Sequence, residues 1–91
     1  EDRLRRAVIE SLMCRMEMDE RILAQSTAPE AVKGEIRAEM DQFRDEARRG
    51  WVIRTRDGLI VTEAGRPFLR LIAARFDAYL AQAAGRHSVA V

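Results

Sequence analysis

The apolar residues near the start of the chain recur every fourth position, at Leu4, Val8, Leu12 and Met16. This spacing predicts an amphipathic helix over residues 2–16, because positions four apart lie on one face of a helix. Asp19 is placed to cap a short second helix that reaches residue 25. The stretch 26–29 ends in a proline and predicts a break before a third helix.

A longer apolar stripe follows, at Val32, Ile36, Met40, Phe43 and Ala47. Its spacing predicts one unbroken helix over residues 29–49. Gly34 is a weak point of that helix, since glycine costs about 1 kcal/mol relative to alanine in a helix interior. Gly50 supplies the stop signal that is typical of a helix C-terminus.

After Gly50 the apolar period changes to two, which is the period of a strand. Trp51, Ile53 and Thr55 share one strand face, and the dipeptide Asp57-Gly58 is a preferred hairpin turn. The pattern therefore predicts a β-hairpin over about residues 51–62.

A final helix is predicted to begin between residues 62 and 67 and to run through residue 83. Its start is hard to place because Pro67 suits only the first turn of a helix. The apolar side of this helix is formed by Phe68, Ile72, Phe76, Tyr79 and Leu80.

Together these elements predict an α+β fold, a mostly helical winged-helix-like domain with three helices, a β-hairpin and a long C-terminal helix. The 91 residues are enough for one domain, which we expect to occupy residues 1–85 and to be followed by a flexible tail at 86–91. A chain of this length has a small core and little room for an enclosed catalytic pocket. Because it starts at Glu1, directly in a helical pattern, we expect it to be part of a larger protein.

The charge of the chain is nearly balanced, with 16 Lys and Arg against 15 Asp and Glu. A module that binds duplex DNA usually has a basic excess or a basic face. The third helix would be the recognition helix, but its cations are outnumbered by carboxylates: Lys33, Arg37, Arg44, Arg48 and Arg49 against Glu30, Glu35, Glu39, Asp41, Asp45 and Glu46. We therefore expect no nucleic-acid partner. No run of about 18 apolar residues predicts a membrane span, so a cytoplasmic protein is expected.

Candidate chemistry is sparse. Cys14 is the only cysteine, which excludes an internal disulfide and a multi-thiolate metal site within the chain. We expect its thiol to be half-buried on the first helix, and the single histidine, His87, lies in the predicted tail. No catalytic, cofactor-binding or metal-binding residue is predicted here. Arg66 and Arg70 lie one turn apart on the predicted last helix, where two guanidinium groups can hold a carboxylate or phosphate, or form ion pairs with another domain.

Three stretches in this order change the interpretation: RRAVIESLMC at residues 5–14, GLIVTEAGR at 58–66 and RLIAARFDAYL at 70–80. Read together, they resemble the C-terminal domain of the oxygen-independent coproporphyrinogen III oxidases, which belong to the radical S-adenosylmethionine (SAM) superfamily. The resemblance covers residues 2–80. Pro67 departs from it, because relatives usually continue with an apolar helix former there.

The resemblance implies an oxidoreductase of heme biosynthesis that converts two propionate groups of coproporphyrinogen III to vinyl groups, giving protoporphyrinogen IX. It implies a 4Fe-4S cluster and S-adenosylmethionine, both held by a Cys-x-x-x-Cys-x-x-Cys barrel domain. That triad is absent from this chain, and Cys14 cannot stand for it. We therefore expect an inactive accessory domain without cofactors of its own, whose partners are its N-terminal radical SAM barrel and, in the full enzyme, coproporphyrinogen III.

Two roles for this domain in the parent enzyme are consistent with the radical chemistry that the resemblance implies. The domain can bury an apolar surface against the barrel and shield the radical from water, which we expect to be its main role. Alternatively, Arg66 and Arg70 can bind the substrate's propionates. The equivalent domain of a radical SAM heme chaperone and a free-standing winged-helix DNA-binding regulator stay open as alternatives. An isolated domain is also expected to self-associate through its docking patch.

Overall fold

The computed structural model describes the backbone of residues 2–86 and the side chains of residues 3–83. Its helices are α1 (Asp2–Arg15), α2 (Glu20–Ala24), α3 (Glu30–Met40), α4 (Arg44–Arg48) and α5 (Leu69–Arg86). Its strands are β1 (Glu17–Asp19), β2 (Val52–Thr55) and β3 (Gly58–Val61), and a 3-10 helix at Arg66–Phe68 precedes α5. The predicted α+β fold, with its hairpin and long last helix, is confirmed.

The three strands form one antiparallel sheet in the order β1-β3-β2. Met18 is paired with Leu59 across β1 and β3, and both side chains are buried. On the other side of the sheet, Ile53 is paired with Ile60, and both side chains are exposed. One face of the sheet therefore covers the core, and the opposite face presents two isoleucines to solvent.

The core lies between this sheet and the helices, with α1 packed along α5. Its fully buried large side chains are Phe43, Phe76, Leu4, Leu12, Met18, Leu23, Ile36, Met40, Leu59, Val8 and Val52. Phe43 stacks on Phe76 with the ring centroids 5.1 Å apart. Burial of these side chains is what holds short elements such as α2 and β1, because elements of this length are marginal by themselves.

The predicted cap of α2 is confirmed. The backbone N–H of Arg21 donates to the Asp19 carboxylate at 2.8 Å, and the Arg21 guanidinium donates to it at 3.2 Å. These two bonds, the backbone bond first, lower the pKa of Asp19 below its ordinary value. Helix α1 ends three residues before Asp19, where Met16 takes a positive φ of 59°, a left-handed conformation that stops a helix.

The prediction of one unbroken third helix was wrong. Helix α3 ends at Met40, and α4 begins only at Arg44. The break lets Phe43 turn into the core, where its side chain is 1% exposed, and it frees the Gln42 carbonyl to accept a hydrogen bond from Arg75 at 3.0 Å. Ala47, which was placed on the apolar stripe, is exposed. The stop at Gly50 is confirmed by its φ of 79°.

The hairpin is confirmed, but its turn is displaced by one residue. Thr55 pairs with Gly58, so the loop residues are Arg56 and Asp57, and neither has a positive φ. A Cβ on Gly58 would approach the Met18 carbonyl more closely than the 3.0 Å that real Cβ atoms keep. Glycine is therefore required at this position by the close approach of β1.

The last helix starts later and ends later than predicted. Pro67 is the second residue of the 3-10 helix, where its missing N–H costs no helical hydrogen bond. Helix α5 then begins at Leu69 and continues through Arg86. The predicted tail thus loses residue 86 to the helix, and the rest of it, 87–91, lies outside the described residues.

Candidate functional site

Arg66 and Arg70, the predicted ligand contacts, lie on two different helical segments. Arg66 belongs to the 3-10 helix and Arg70 to the first turn of α5, so the expectation that both lie on one regular helix was wrong. Both side chains are exposed. Arg66 lies 3.4 Å from Glu63, in a pair whose two side chains are 66% and 80% exposed. An ion pair this exposed is weak.

Arg75, which the sequence gave no reason to single out, joins α5 to α3 and α4. Its guanidinium donates to Glu39 at 3.2 Å and to Glu46 at 3.1 Å, and it lies over the Phe43 ring at 4.1 Å from the centroid. A planar guanidinium can make these contacts simultaneously, whereas an ammonium cannot. Arg75 is thus a structural clamp that joins α5 to α3 and α4.

An exposed apolar surface runs from the outer face of the sheet to the start of α5. We call it the outer strip, and it consists of Ile60, Ile53, Trp51, Phe68 and Leu71. Trp51 and Phe68 are half-buried, and Trp51 also packs against the core. Ile53 lies directly opposite Ile60, and Trp51 precedes Ile53 by two positions, on the same side of the chain. The Trp51 and Phe68 rings stack with centroids 3.8 Å apart. Leu71 lines the same small cleft of about 100 Å³ as these two rings.

The outer strip contains three of the four large hydrophobic side chains that are exposed among the described residues. Leu71 is 70% exposed, Ile53 52% and Ile60 39%. Single exposed hydrophobic residues need no explanation, but a contiguous set of them marks an interaction surface more often than chance. The cleft in the strip holds only about 100 Å³, which is below the roughly 300–1,000 Å³ of a typical small-molecule site, so the strip suits a protein surface better than a small molecule.

Cations border the outer strip at the end where α5 begins. The Arg49 guanidinium lies 5.1 Å from the centre of the Trp51 ring, and Arg70 directly precedes Leu71 in the chain. Within the described part of the chain, neither arginine has a carboxylate partner. This end of the strip therefore carries uncompensated positive charge.

The fourth exposed hydrophobic residue, Met13, lies on α1 in a shallow groove of about 580 Å³. Arg5 donates to Asp77 at 2.5 Å and 3.0 Å. Two arginines and two carboxylates line this groove, so its formal charges balance: Arg5, Arg6, Glu10 and Asp77. Hydrogen bonding by Arg5 holds the pKa of Asp77 below its ordinary value. Cys14, also in this groove, is exposed, so the expectation of a half-buried thiol was wrong.

Residues 3–83 contain no group of three or more His, Cys, Asp or Glu side chains arranged to hold a metal ion. None of the described helices combines the length and the apolar character that crossing a bilayer requires.

Helix α3, the candidate recognition helix, has little cationic charge to offer to DNA. Lys33 is 8% exposed and lies 3.5 Å from Glu30, while Arg37 donates to Glu20 at 2.8 Å. Both cations of this helix are therefore engaged with carboxylates of the domain itself. The expectation of no nucleic-acid partner stays a prediction, and the geometry adds nothing in favour of DNA binding.

The chain is similar to a part of one curated protein, the oxygen-independent coproporphyrinogen III oxidase of Thermostichus vulcanus. The two are 38% identical over 86 residues. The match covers 94% of this chain but only 26% of that protein, so the chain spans about a quarter of its relative's length. It therefore contains a domain related to one part of the oxidase.

Two other comparisons gave no match. No family model matches the chain, and no solved structure matches it significantly.

Proposed function

We propose that this chain is the C-terminal accessory domain of an oxygen-independent coproporphyrinogen III oxidase. The observation that carries the proposal is the 38% identity to the Thermostichus vulcanus oxidase, which extends over 94% of this chain. The three stretches that resemble the oxidases, at residues 5–14, 58–66 and 70–80, support the same assignment. In the structure they form most of α1, β3 with the turn that follows it, and the first two-thirds of α5.

The parent, in this proposal, is an oxidoreductase of heme biosynthesis that converts two propionate side chains of coproporphyrinogen III to vinyl groups. A 4Fe-4S cluster and S-adenosylmethionine would supply the radical chemistry. The residues of this chain do not fit such a cluster, because its single thiol, Cys14, is isolated and the described residues contain no metal-binding group. The cluster would have to be bound by another part of the parent, and no chemical step is assigned to this chain.

The role we propose for the domain is to cover the reaction site of the parent. A radical intermediate has to be protected from water and from side reactions, and a domain that closes over it does so. The outer strip gives the domain an apolar surface for such a contact, with Leu71 70% exposed. Direct binding of substrate carboxylates by Arg66 and Arg70 is the alternative role, because a tetrapyrrole with four propionates needs cationic partners.

Reading the complete reading frame around this chain tests the assignment first. We expect a Cys-x-x-x-Cys-x-x-Cys motif upstream of residue 1, in frame. A frame without this motif would remove the basis for a radical SAM oxidase. A purified complete protein that binds heme but does not convert coproporphyrinogen III would instead favour the heme-chaperone alternative.

Substitution of both arginines separates the two roles. In the complete enzyme, the variant Arg66→Ala/Arg70→Ala should leave the KM for coproporphyrinogen III almost unchanged if the domain acts as a cover. A rise in KM of more than about tenfold, equivalent to ~1.4 kcal/mol of binding free energy, would show that the arginines bind substrate. The matched control is Arg44→Ala, which removes one exposed arginine on α4.

A further inference from the structure

From the position of the exposed hydrophobic residues, and on the basis of the proposed function, we propose that the outer strip is the surface by which this domain docks on the remainder of its parent chain. The partner is an apolar surface that carries carboxylates beside the start of α5. This assigns one face of the domain, its outer sheet face together with Trp51, Phe68 and Leu71, to the interdomain contact.

The exposed apolar side chains are concentrated on one face of the domain. Ile53, Ile60 and Leu71 are 52%, 39% and 70% exposed, and Leu71 lines one cleft together with the stacked rings of Trp51 and Phe68. Burying apolar surface contributes about 25 cal/mol per Å². Covering a strip of this length is therefore a substantial part of what an interdomain contact requires.

The length of the relative indicates what covers the strip, namely the remainder of the parent chain. The relative is about four times as long as the part matched by this chain, because the match covers 26% of it. Interfaces between domains of one chain typically bury about 600–1,500 Å². A domain of 91 residues that forms part of such a protein must expose a face for that contact, and the outer strip contains three of the four exposed large hydrophobic residues among the described residues.

The arginines beside the strip also favour a protein partner there. Arg49 lies over the Trp51 ring and Arg70 is the chain neighbour of Leu71, and neither has a carboxylate partner among the described residues. Arg75, five residues further along α5, is paired with two glutamates. Cations left unpaired beside an apolar contact are expected to meet acidic groups of the partner, because complementary potentials fix the orientation of an interface. The groove on α1 differs in its balance of charge, because its two arginines are matched in number by Glu10 and Asp77.

Cysteine labelling in the complete protein tests the docking face. Ile53→Cys and Leu71→Cys are introduced one at a time, and native Cys14 serves as the internal reference because it is exposed and shares no groove with the strip. The rate of maleimide labelling at each position is measured by mass spectrometry of its peptide. Each rate is divided by the rate in the urea-unfolded protein.

We expect both introduced thiols to react at least about tenfold more slowly than Cys14, which corresponds to a docked state favoured by ~1.4 kcal/mol or more. Exposure within the domain alone predicts comparable rates, because Leu71 and Ile53 are exposed and so is Cys14. Labelling of these positions as fast as Cys14 would overturn the proposal. Protection that grows with protein concentration would also overturn it, because the occupant would then be a second copy.

The cationic border is tested in the Ile53→Cys protein. Arg70→Glu and Arg49→Glu should each accelerate labelling at residue 53 by at least about threefold, as expected from a lost or reversed ion pair. The matched control is Arg6→Glu on α1, which should have no effect. Equal effects of all three substitutions would show that general charge, and not this border, governs docking.

The labelling experiment and the enzymatic assay test the docking face and the proposed function independently. A complete protein in which the strip is protected but coproporphyrinogen III is not converted contradicts the proposed function and keeps the docking face. An active enzyme in which the strip is freely labelled contradicts the docking face and keeps the proposed function.

Discussion

Alanine substitutions at Gly34 and Gly65 should change the stability of the domain in opposite directions. Gly34 lies inside α3, and a Cβ added there has no atom within 4 Å. Gly65 is buried just before the 3-10 helix, and a Cβ added there would lie closer to the backbone of Trp51 than the 3.0 Å that real Cβ atoms keep. The same chemical change thus meets open space in one place and the main chain in the other.

The expected gain at Gly34 follows from helix propensity. Replacing a helix-interior glycine by alanine contributes about 0.5–1 kcal/mol, partly because the unfolded chain loses conformational freedom. For a domain of this size, 1 kcal/mol shifts Tm by about 4–8 °C. We therefore expect Gly34→Ala to raise Tm by roughly 2–8 °C.

The expected loss at Gly65 follows from the hydrogen bonding around Trp51. The Trp51 carbonyl accepts a bond from the Thr62 backbone N–H at 2.9 Å, so it cannot move away from a new methyl group without weakening the hairpin. We expect Gly65→Ala to cost about 2–3 kcal/mol, in the upper part of the usual range for single substitutions. Because Gly65 holds the 3-10 helix against Trp51, the substitution should also disturb the stack of Trp51 on Phe68.

Urea unfolding followed by far-UV circular dichroism and by Trp51 fluorescence checks both expectations, since Trp51 is the only tryptophan. Gly34→Ala should keep the native emission maximum and unfold at a higher urea concentration. Gly65→Ala should have red-shifted emission and unfold at a lower one. Unchanged stability of Gly65→Ala would refute the close approach of the 3-10 helix to Trp51, and a destabilised Gly34→Ala would refute a regular helix at that point.

Three further substitutions test other contacts. Arg5 lowers the pKa of Asp77, so the pair contributes stability above a pH of about 4 and loses that contribution as the pH falls through the lowered pKa. Asp77→Asn should therefore weaken the dependence of Tm on acid pH. A steeper dependence would contradict this. Arg75→Lys should lower stability by about 1–3 kcal/mol in urea unfolding, because an ammonium cannot join Glu39 and Glu46; an unchanged midpoint would contradict the clamp. Cys14→Ser should change stability by no more than about 0.5 kcal/mol, and a larger loss would mean that the thiol is buried.

The parts of the fold that were predicted correctly are those determined by local sequence. The apolar repeat of α1, the Asp19 cap and the change of period at Gly50 each act within a few residues, so the sequence around them is sufficient. The exposure of Cys14 was also readable in principle. At 3.6 residues per turn, Cys14 lies about 200° around the helix from buried Leu12, on the opposite side of α1.

The features that were missed depend on contacts between distant parts of the chain. Strand β1 has only three residues, two of them acidic, and it exists because Met18 is buried in the core beside Leu59 of β3. The break between α3 and α4 depends on Phe43 and on Arg75, which is 33 positions away from its acceptor Gln42. A local apolar stripe cannot report such contacts, since tertiary packing overrides propensity.

The candidate site shows the same division. Sequence alternation placed Trp51 and Ile53 on one face but did not say whether that face is buried. In the structure, Val52 is 2% exposed and faces the core, so Ile53, the next residue in the strand, faces outward and is 52% exposed. The outer strip then appears only when the stacking of Trp51 on Phe68 brings the sheet next to Leu71.

The most direct test of the proposed function is an anaerobic turnover assay on the protein from the complete reading frame. The purified protein, with its cluster reconstituted, is incubated with coproporphyrinogen III and S-adenosylmethionine, and a version that lacks residues 1–91 is treated in parallel. The account predicts protoporphyrinogen IX from the complete protein and far less product, or more uncoupled cleavage of S-adenosylmethionine, from the truncated one. Failure of the complete protein to form the product would contradict the account.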